Sequence, residues 1–447
     1  MARKILIGLL VFCLVMLAAG IGFVVYMESR PTVETPQTTA PATEVPETTE
    51  ATEIPATEEP TTVPPTSSPA PTETEPQDVI YTLTFAGDCT LGSDSGAYHS
   101  VHGFIKTVGT DYGYPFRNVV DYFRNDDFTI INLESVLADQ GYAASKLFTF
   151  RGPVAYTEIM TGSFVEAVTL ANNHTQDYGK AGYESTTQAL TDAGIWFVEE
   201  NKTQLLTTES GLTIGLYADA FQFSTAEIEK NVKALRDQGA EIVICAFHWG
   251  TEGSYRATAD QKRFAHAAID AGADVVYGHH PHVLQPIEEY NGGYIFYSLG
   301  NFSFGGNNFP KDLDSAIVQL EVIRDPEGKI SLGKLIRIPV SITSMEVQNN
   351  FQPTPYEEGT KEYDRVLSKL DGTFTGPDLV VNYDHLKETE PPTEAPTEAP
   401  SDTPSDAPAD PPADTPADPP ADTPADPPAD PPADPPADPP ADTPDPT

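Results

Sequence analysis

The sequence predicts an α/β fold for residues 78–387, because short apolar runs alternate there with amphipathic stretches and no Pro-rich break interrupts them. The apolar runs have the length of buried strands, and several stretches between them carry the start and stop signals of helices. Strands that alternate with helices indicate a largely parallel sheet. Residues 78–387 are therefore expected to form one folded domain.

Seven apolar runs predict the strands of this sheet, and two later runs predict antiparallel strands added to it. In chain order, the seven are residues 80–86, 128–133, 167–171, 213–217, 241–247, 274–277 and 294–299, followed by 316–323 and 335–342.

Three helices are predicted by the signals at their ends. A glycine follows or closes the stretches 180–193, 225–238 and 259–271, in the position where helices commonly end. Ser224 with Glu227, and Thr258 with Gln261, have the spacing of a capping box, in which each side chain bonds the other residue's backbone N–H. We therefore expect capping boxes at the start of the second and third helices.

The formal charge is −42, from 67 acidic and 25 basic residues. This charge excludes a protein that binds the phosphate backbone of nucleic acid. Much of it lies in two Pro-rich segments without basic residues, 31–77 and 388–447, which have too few apolar residues to form a core. These segments are predicted to be disordered spacers, an N-terminal stalk and a C-terminal tail.

An uncharged run from residue 5 to residue 27 follows Arg3 and Lys4. The run is long enough for a helix that crosses a bilayer, and its basic flank orients the N-terminus to the cytoplasm. Residues 1–30 are therefore expected to form a cytoplasmic start and a retained signal anchor in the cell membrane, with the domain on the outer side. A signal peptide cleaved near residues 18–20 is the alternative.

Cysteine usage says little about the redox compartment. Cys89 and Cys245 are the cysteines of the predicted domain, and two are too few for a disulfide framework. A single bridge between them stays open.

Polar side chains follow five of the predicted strands at the point where each strand ends. Ligands of open α/β sheets bind beyond the carboxyl ends of strands, so these side chains are expected to converge. Carboxylates, amide oxygens and imidazoles together suit a divalent transition metal such as Mn, Fe or Zn. The residues are Asp88, Asn132, Glu134, Asn172, Asn173, His174, His248, His279, His280 and His282.

Three of these histidines are close together in the chain. His280 and His282 are two residues apart, so in an extended backbone they project to the same side, as a shared metal site requires. His279 is then expected to face the other way, as a structural hydrogen-bond partner.

Seven motifs of the domain occur in a characteristic order and spacing. They are Gly87-Asp88-x-x-Leu91-Gly92, Asn132-Leu133-Glu134, Phe150-Arg151-Gly152-Pro153, Ala171-Asn172-Asn173-His174 with Asp177-Tyr178-Gly179, His248-Trp249-Gly250-x-Glu252, Gly278-His279-His280-Pro281-His282-Val283-x-Gln285 and Tyr297-Ser298-Leu299-Gly300-Asn301-Phe302. Over roughly residues 80–310 these motifs resemble the CapA family of bacterial capsule or poly-γ-glutamate synthesis proteins. CapA-like domains are similar to calcineurin-like metallophosphoesterases, which implies a four-layer α/β/β/α metallophosphatase-like fold with a two-metal site.

Carried over residue by residue, the resemblance implies a role for each site residue. His174 matches the histidine that protonates the leaving group. Arg151 is a candidate for orienting an anionic substrate by a bidentate contact, and Asn301 is a second substrate-binding candidate. The implied metal ligands are Asp88, Glu134, Asn173, His248, His280 and His282.

The chain departs from the metallophosphoesterase pattern at two points. The Asp-x-His motif is Asp88-Cys89-Thr90 here, so one metal site lacks an imidazole. Glu134, or Asn132, stands where a bridging Asp is usual. Whether the site holds one metal ion or two therefore stays open.

Three functions are compatible with these residues. The first is a membrane-anchored, outward-facing, metal-dependent hydrolase that acts in synthesis, export or trimming of an anionic envelope polymer such as poly-γ-glutamate. The second is a non-catalytic accessory subunit that binds the polymer or a membrane synthase, which the missing imidazole supports. The third is a phosphoesterase acting on cell-wall polymers.

Overall fold

The computed structural model describes residues 77–382, which contain seventeen β-strands and seven α-helices. The predicted anchor at residues 5–27, the tail at 388–447 and nearly all of the stalk at 31–77 lie outside the described residues. Within the described part of the chain, no helix combines the length and the apolar character needed to cross a membrane.

The strands include all nine predicted runs, with bounds that differ by at most a few residues. They are β1 (Val79–Thr90), β2 (Ser93–Asp94), β3 (Phe128–Leu133), β4 (Val136–Leu137), β5 (Phe150–Gly152), β6 (Ala167–Thr169), β7 (Trp196–Val198), β8 (Lys202–Thr207), β9 (Thr213–Ala220), β10 (Ile242–His248), β11 (Val275–His279), β12 (Ile287–Tyr290), β13 (Gly293–Phe296), β14 (Asn301–Phe304), β15 (Asp314–Arg324), β16 (Ile330–Ser341) and β17 (Thr354–Pro355).

The three predicted helices are present, together with four further helices that were not predicted from the sequence. The helices are α1 (Phe104–Val108), α2 (Val120–Arg124), α3 (Thr157–Thr161), α4 (Gly179–Ala193), α5 (Thr225–Asp237), α6 (Ala259–Asp270) and α7 (Lys361–Leu370).

One of the two predicted capping boxes is confirmed and the other is wrong. At α6, the Gln261 backbone N–H donates to Thr258 Oγ1 at 3.2 Å, and the Thr258 N–H donates to Gln261 Oε1 at 2.9 Å. At α5, the Ser224 side chain makes no capping hydrogen bond. The Glu227 carboxylate there accepts a hydrogen bond from Lys230 Nζ at 2.9 Å, so it is engaged along the helix surface.

Two large sheets form the centre of the fold, where the sequence patterns alone predicted one. The first has the order β17-β16-β15-β1-β3-β6-β7, with β14 also paired to β1, and the second has the order β12-β13-β11-β10-β9-β8. The pairs β1–β3, β3–β6, β9–β10 and β10–β11 are parallel. Strands β15 and β16 pair antiparallel, as predicted for the later runs. A small third sheet has the order β2-β5-β4.

Side chains of each central strand alternate between two separate cores. In β10, Ile242, Ile244 and Ala246 face the first sheet, whereas Val243 and its alternate neighbours pack against α5 and α6. The outer face of the first sheet packs against α1 to α4. Burial on both faces explains the continuous apolar runs, and the packing gives the α/β/β/α layers that the resemblance implies.

The two cysteines of the domain are buried and not bonded to each other. Cys89 lies in the core between the first sheet and its helices, and Cys245 lies in the core between the second sheet and its helices. Because both sheets separate these cores, the single bridge that the sequence left open does not form.

Candidate metal centre

The site lies where the carboxyl ends of the two sheets meet. In the first sheet, Asp88 of β1 is in register with Asn132 of β3 and with Asn301 of β14. In the second sheet, His248 of β10 is in register with His279 of β11. The polar residues at these strand ends therefore lie close together.

Close backbone packing fixes the position of Asp88. A Cβ atom on Gly87 would lie 2.1 Å from the Gly300 carbonyl oxygen, so only glycine fits there. The Asp88 N–H donates to the same oxygen at 2.8 Å. Gly300 has φ +69°, in the left-handed region that glycine adopts without strain.

Asp88 is buried and held by hydrogen bonds from three side chains. One carboxylate oxygen, Oδ1, lies 2.7 Å from His279 Nδ1 and 3.0 Å from Asn132 Nδ2. The other, Oδ2, lies 3.3 Å from His282 Nδ1. Burial alone would raise the pKa of Asp88, but the contacts with His279 and His282 hold it well below its usual value. The carboxylate is therefore ionised.

Three imidazole nitrogens surround one carboxylate oxygen of Glu134. The Nε2 atoms of His248, His282 and His174 lie 3.8, 3.8 and 3.9 Å from Glu134 Oε1. This oxygen is buried and has no hydrogen-bond partner among the described residues. Burial and the nearby Asp88 carboxylate raise the pKa of Glu134 well above its usual value, although His282 opposes this.

Burial keeps two of the histidines neutral. It lowers the pKa of His248 well below the usual value, and His280 adds to this effect. It also lowers the pKa of His280 to about 4, with His282 contributing. For His282 the effect of burial is outweighed by the Glu134 and Asp88 carboxylates, which raise its pKa. Neutral imidazoles keep a lone pair available for a metal ion.

The backbone around His280 and His282 is not extended. The predicted reason for their common orientation, alternation along an extended backbone, is therefore wrong. Strand β11 ends at His279, and His280 and His282 have φ of 94° and 56°. Their ring centroids lie 5.8 Å apart, so the two rings are neighbours because of a strained turn. His279 is a hydrogen-bond partner as predicted, but its partner is the site residue Asp88.

His174 is oriented by a second buried carboxylate. Its Nδ1 atom lies 2.7 Å from Asp177 Oδ2, and the same oxygen accepts the Phe150 N–H at 2.6 Å. Lys146 Nζ forms an ion pair with the other Asp177 oxygen and donates to the Asn173 carbonyl at 2.6 Å. Burial lowers the pKa of His174, and Asp177 counteracts part of this effect.

The remaining site candidates are placed differently. Asn173 Oδ1 lies 2.8 Å from His248 Nε2, and Asn301 Oδ1 lies 3.0 Å from His282 Nδ1, so both amides belong to the cluster. Arg151 contacts the rings of Tyr98 and Tyr178. Its neighbour Phe150 is the residue of β5 whose ring contacts His174, with centroids 4.4 Å apart.

Among the described residues, two groups of side chains have donor atoms close enough together to hold a metal ion. Asp88, Glu134 and His282 form one group, and Glu252, His280 and His282 form the other. In each group the donor atoms lie within 4.8 Å of one another. Since His282 belongs to both groups, the arrangement can hold one ion or two neighbouring ions.

Sequence reasoning left several of these residues without a role. Glu252 was part of a motif but follows β10 by four residues, so its approach to His280 depends on the turn. Asp177 was also only part of a motif, although its spacing of three from His174 is a usable signal. Phe221 was missed altogether, and its ring lies 5.4 and 5.0 Å from the rings of His248 and His280.

The residue that replaces the usual imidazole has a structural contact. Thr90 Oγ1 donates to the Glu134 carbonyl oxygen at 3.2 Å, and both residues are buried. The hydroxyl therefore ties β1 to the segment after β3.

Comparison with protein families gives a match over half of the chain. Residues 82–306 match the model of the family described as "Bacterial capsule synthesis protein PGA_cap". This range includes every residue of the cluster described above.

Two curated relatives match more of the chain. The capsule biosynthesis protein CapA of Bacillus anthracis is 31% identical over 53% of this chain and 63% of its own length. The PGA biosynthesis protein CapA of Bacillus subtilis is 28% identical over 67% of this chain and 82% of its own length. The chain thus spans less than two thirds of the B. anthracis protein.

A search of solved structures gives more distant similarities. The NAD nucleotidase of Haemophilus influenzae aligns with 66% of this chain and 63% of its own, at 13% identity and a TM-score of 0.33.

Proposed function

The chain belongs to the family of bacterial capsule synthesis proteins described as PGA_cap, and from this premise we propose that it is a metal-dependent hydrolase acting on an anionic envelope polymer. The relatives' names connect them with capsule and PGA biosynthesis, which supports a polymer such as poly-γ-glutamate as the substrate here. The hydrolase would act in synthesis, export or trimming of this polymer.

The observation that carries the proposal is the pair of ligand nitrogens beside Glu134 Oε1. This buried carboxylate oxygen has no hydrogen-bond partner among the described residues and lies 3.8 Å from Nε2 of both His248 and His282, which fits a shared divalent cation. An ion that bonds to both kinds of atom would stabilise the carboxylate charge, which burial otherwise disfavours. Mn, Fe and Zn suit these donors.

The residues that would hold one or two ions are those of the cluster. A bound divalent ion supplies a water of lowered pKa and polarises the scissile group. The ligands we propose are Asp88, Glu134, Asn173, His248, His280 and His282, with Glu252 added from the structure.

His174 is proposed to transfer the proton to the leaving group. Asp177 binds Nδ1 of the ring, so Nε2 is the atom that faces Glu134 and the cluster. Phe150 packs against the ring and limits its rotation. Because burial lowers the pKa of His174, its ring is mostly uncharged near pH 7. A ring held in this orientation by Asp177 can accept a proton and return it during hydrolysis.

We also propose that the domain acts on the outer side of the cell membrane. The support is the uncharged run of residues 5–27 behind Arg3 and Lys4. A membrane synthase of the polymer is the partner that this location favours.

The proposal is tested on the full-length protein purified with Mn²⁺, Fe²⁺ or Zn²⁺. We expect bound metal by elemental analysis, loss of metal in His248→Ala and His280→Ala, and shortening of poly-γ-glutamate in size-exclusion chromatography. His266→Ala is the matched control, because His266 lies on α6 and pairs with Glu288. Metal-free protein, with both variants folded as before, contradicts the proposal.

A non-catalytic accessory role is the second candidate, and Thr90 favours it. The Thr90 hydroxyl is bonded to a carbonyl group where the metallophosphoesterase pattern has a metal-binding imidazole. An Asp88→Ala, His174→Ala double variant that restores capsule in a deletion strain supports this role. Turnover of a chromogenic phosphoester with Mn²⁺ would support the phosphoesterase alternative.

A further inference from the structure

Arg151 differs from the other arginines in the part of the chain that the structure describes. Each of the other eight forms an ion pair with an Asp or Glu side chain, whereas Arg151 forms none with a described residue. In an acidic protein, a guanidinium without a carboxylate partner is an uncompensated positive charge.

Two aromatic rings hold this guanidinium in place. Its central carbon lies 4.7 Å from the ring centroid of Tyr98 and 4.9 Å from that of Tyr178. The Nε atom is buried and has no acceptor among the described residues, and the side chain as a whole is partly exposed. The cation is thus stabilised by ring faces, and its two terminal nitrogens are the donors left for a ligand.

The position of Arg151 connects it to the metal centre. It lies on β5, in register with Ser93 of β2 and Val136 of β4. The preceding residue, Phe150, contacts His174, and Tyr178 directly follows Asp177, which orients His174. The clamp of Arg151, Tyr98 and Tyr178 is therefore built on the same short segments that orient the proposed proton donor.

We propose that this clamp binds a carboxylate group of the polymer while another part of the same chain lies at the metal centre. The inference rests on the proposed function for the identity of the polymer. A polymeric substrate can occupy both places at once. Arg151 is thus a specificity-determining residue that recognises the negative charge of the polymer beside the metal centre.

The ligand group expected at this clamp is a carboxylate. All N–H donors of a guanidinium lie in its plane, and a carboxylate places two oxygens in that plane for a bidentate contact. The poly-γ-glutamate of the proposed function supplies such a group, and a phosphate group is the alternative that the test distinguishes.

The test measures equilibrium binding of fluorescent poly-γ-glutamate to the full-length protein, at constant ionic strength and in excess chelator. We expect Arg151→Gln to raise Kd about 10- to 100-fold, as for loss of a charged bidentate contact. Arg151→Lys keeps the charge but loses the planar fork, so it should show most of this loss. Arg263→Gln is the matched control, because Arg263 pairs with Asp260 on the exposed face of α6.

Further binding measurements distinguish a failure of this inference from a failure of the proposed function. Tyr98→Leu should weaken binding without removing the charge, and it tests the clamp if Arg151→Gln fails to fold. Inorganic polyphosphate should bind more weakly than poly-γ-glutamate and respond less to Arg151→Gln. Equal binding by wild type and both Arg151 variants, or an effect confined to polyphosphate, overturns the inference. If the polymer is bound through Arg151 but never shortened, the hydrolase proposal fails and the inference stands.

Discussion

Nδ1 of His174 lies 2.7 Å from Oδ2 of Asp177, and the Asp177 side chain is fully buried. A carboxylate in this position fixes which ring nitrogen carries the proton and directs the other nitrogen to the cluster. Asp177 thus positions His174.

Asp177→Asn is expected to lower kcat for polymer hydrolysis by about 10²-fold, within the range typical of general acid–base catalysis. The amide can still accept the Phe150 N–H, so the fold should persist. The readout specific to positioning is non-additivity: a His174→Ala, Asp177→Asn double variant should be no slower than His174→Ala alone. Additive losses would show that Asp177 acts independently of His174.

Glu134→Gln is expected to raise the free energy of unfolding in excess chelator by about 1–3 kcal/mol, since a neutral amide avoids the cost of ionising a buried carboxyl group whose Oε1 has no hydrogen-bond partner among the described residues. With Mn²⁺ or Zn²⁺ added, the variant should lose the metal-dependent gain in stability that wild type shows. Urea unfolding with and without metal gives both values. Glu288→Gln, at the His266 pair, serves as the control. A destabilised variant in chelator would contradict this account of Glu134.

Lys369→Met is expected to lower the free energy of unfolding by about 3–5 kcal/mol, because it removes the buried cation from Asp312 and leaves Asp314 with Arg365 alone. Lys369 Nζ lies 2.7 Å from both Asp312 Oδ2 and Asp314 Oδ2, and its side chain is 2% exposed. Lys233→Met changes the same residue type where it is 72% exposed and paired with Asp237, and should cost under about 1 kcal/mol. Similar losses in the two variants, measured by urea unfolding, would refute the importance of the buried cluster.

Asp126→Asn is expected to make stability less dependent on pH. Burial raises the pKa of Asp126 to about 7. Hydrogen bonds from Thr129 and Thr84 oppose this increase, and the nearby Glu166 and Asp127 carboxylates add to it. The folded state therefore binds this proton more tightly than the unfolded state. Wild type loses the associated stability as the pH rises from about 4 through about 7.

The Asp126→Asn difference should be measured by thermal unfolding between pH 5 and 8. The variant should gain in Tm relative to wild type as the pH increases, reaching about 2–4 °C, the shift that 1 kcal/mol causes in a large domain. Above pH 7 the gain should level off. A constant difference over this range would mean that Asp126 does not titrate as described.

The strands were the most predictable part of the fold. A strand such as β10, with Val243 and Ile244 buried in different cores, must be apolar on both faces and appears in the sequence as a continuous run. Helices as short as α1 and α3 bury few residues, so their sequences carry little periodicity. Their positions depend on the sheet against which they pack.

The sequence by itself determined which chemical groups are available and where in the chain strands end, because burial and backbone preference act over a few neighbouring residues. It could not determine which group meets which, because Asp88 and His279 are 191 residues apart and meet only when two sheets pack together. The left-handed turn at His280 and His282, the three nitrogens around Glu134 and the rings around Arg151 were likewise decided by tertiary packing. Only packing makes a strained backbone, a buried carboxylate and an unpaired cation stable enough to persist.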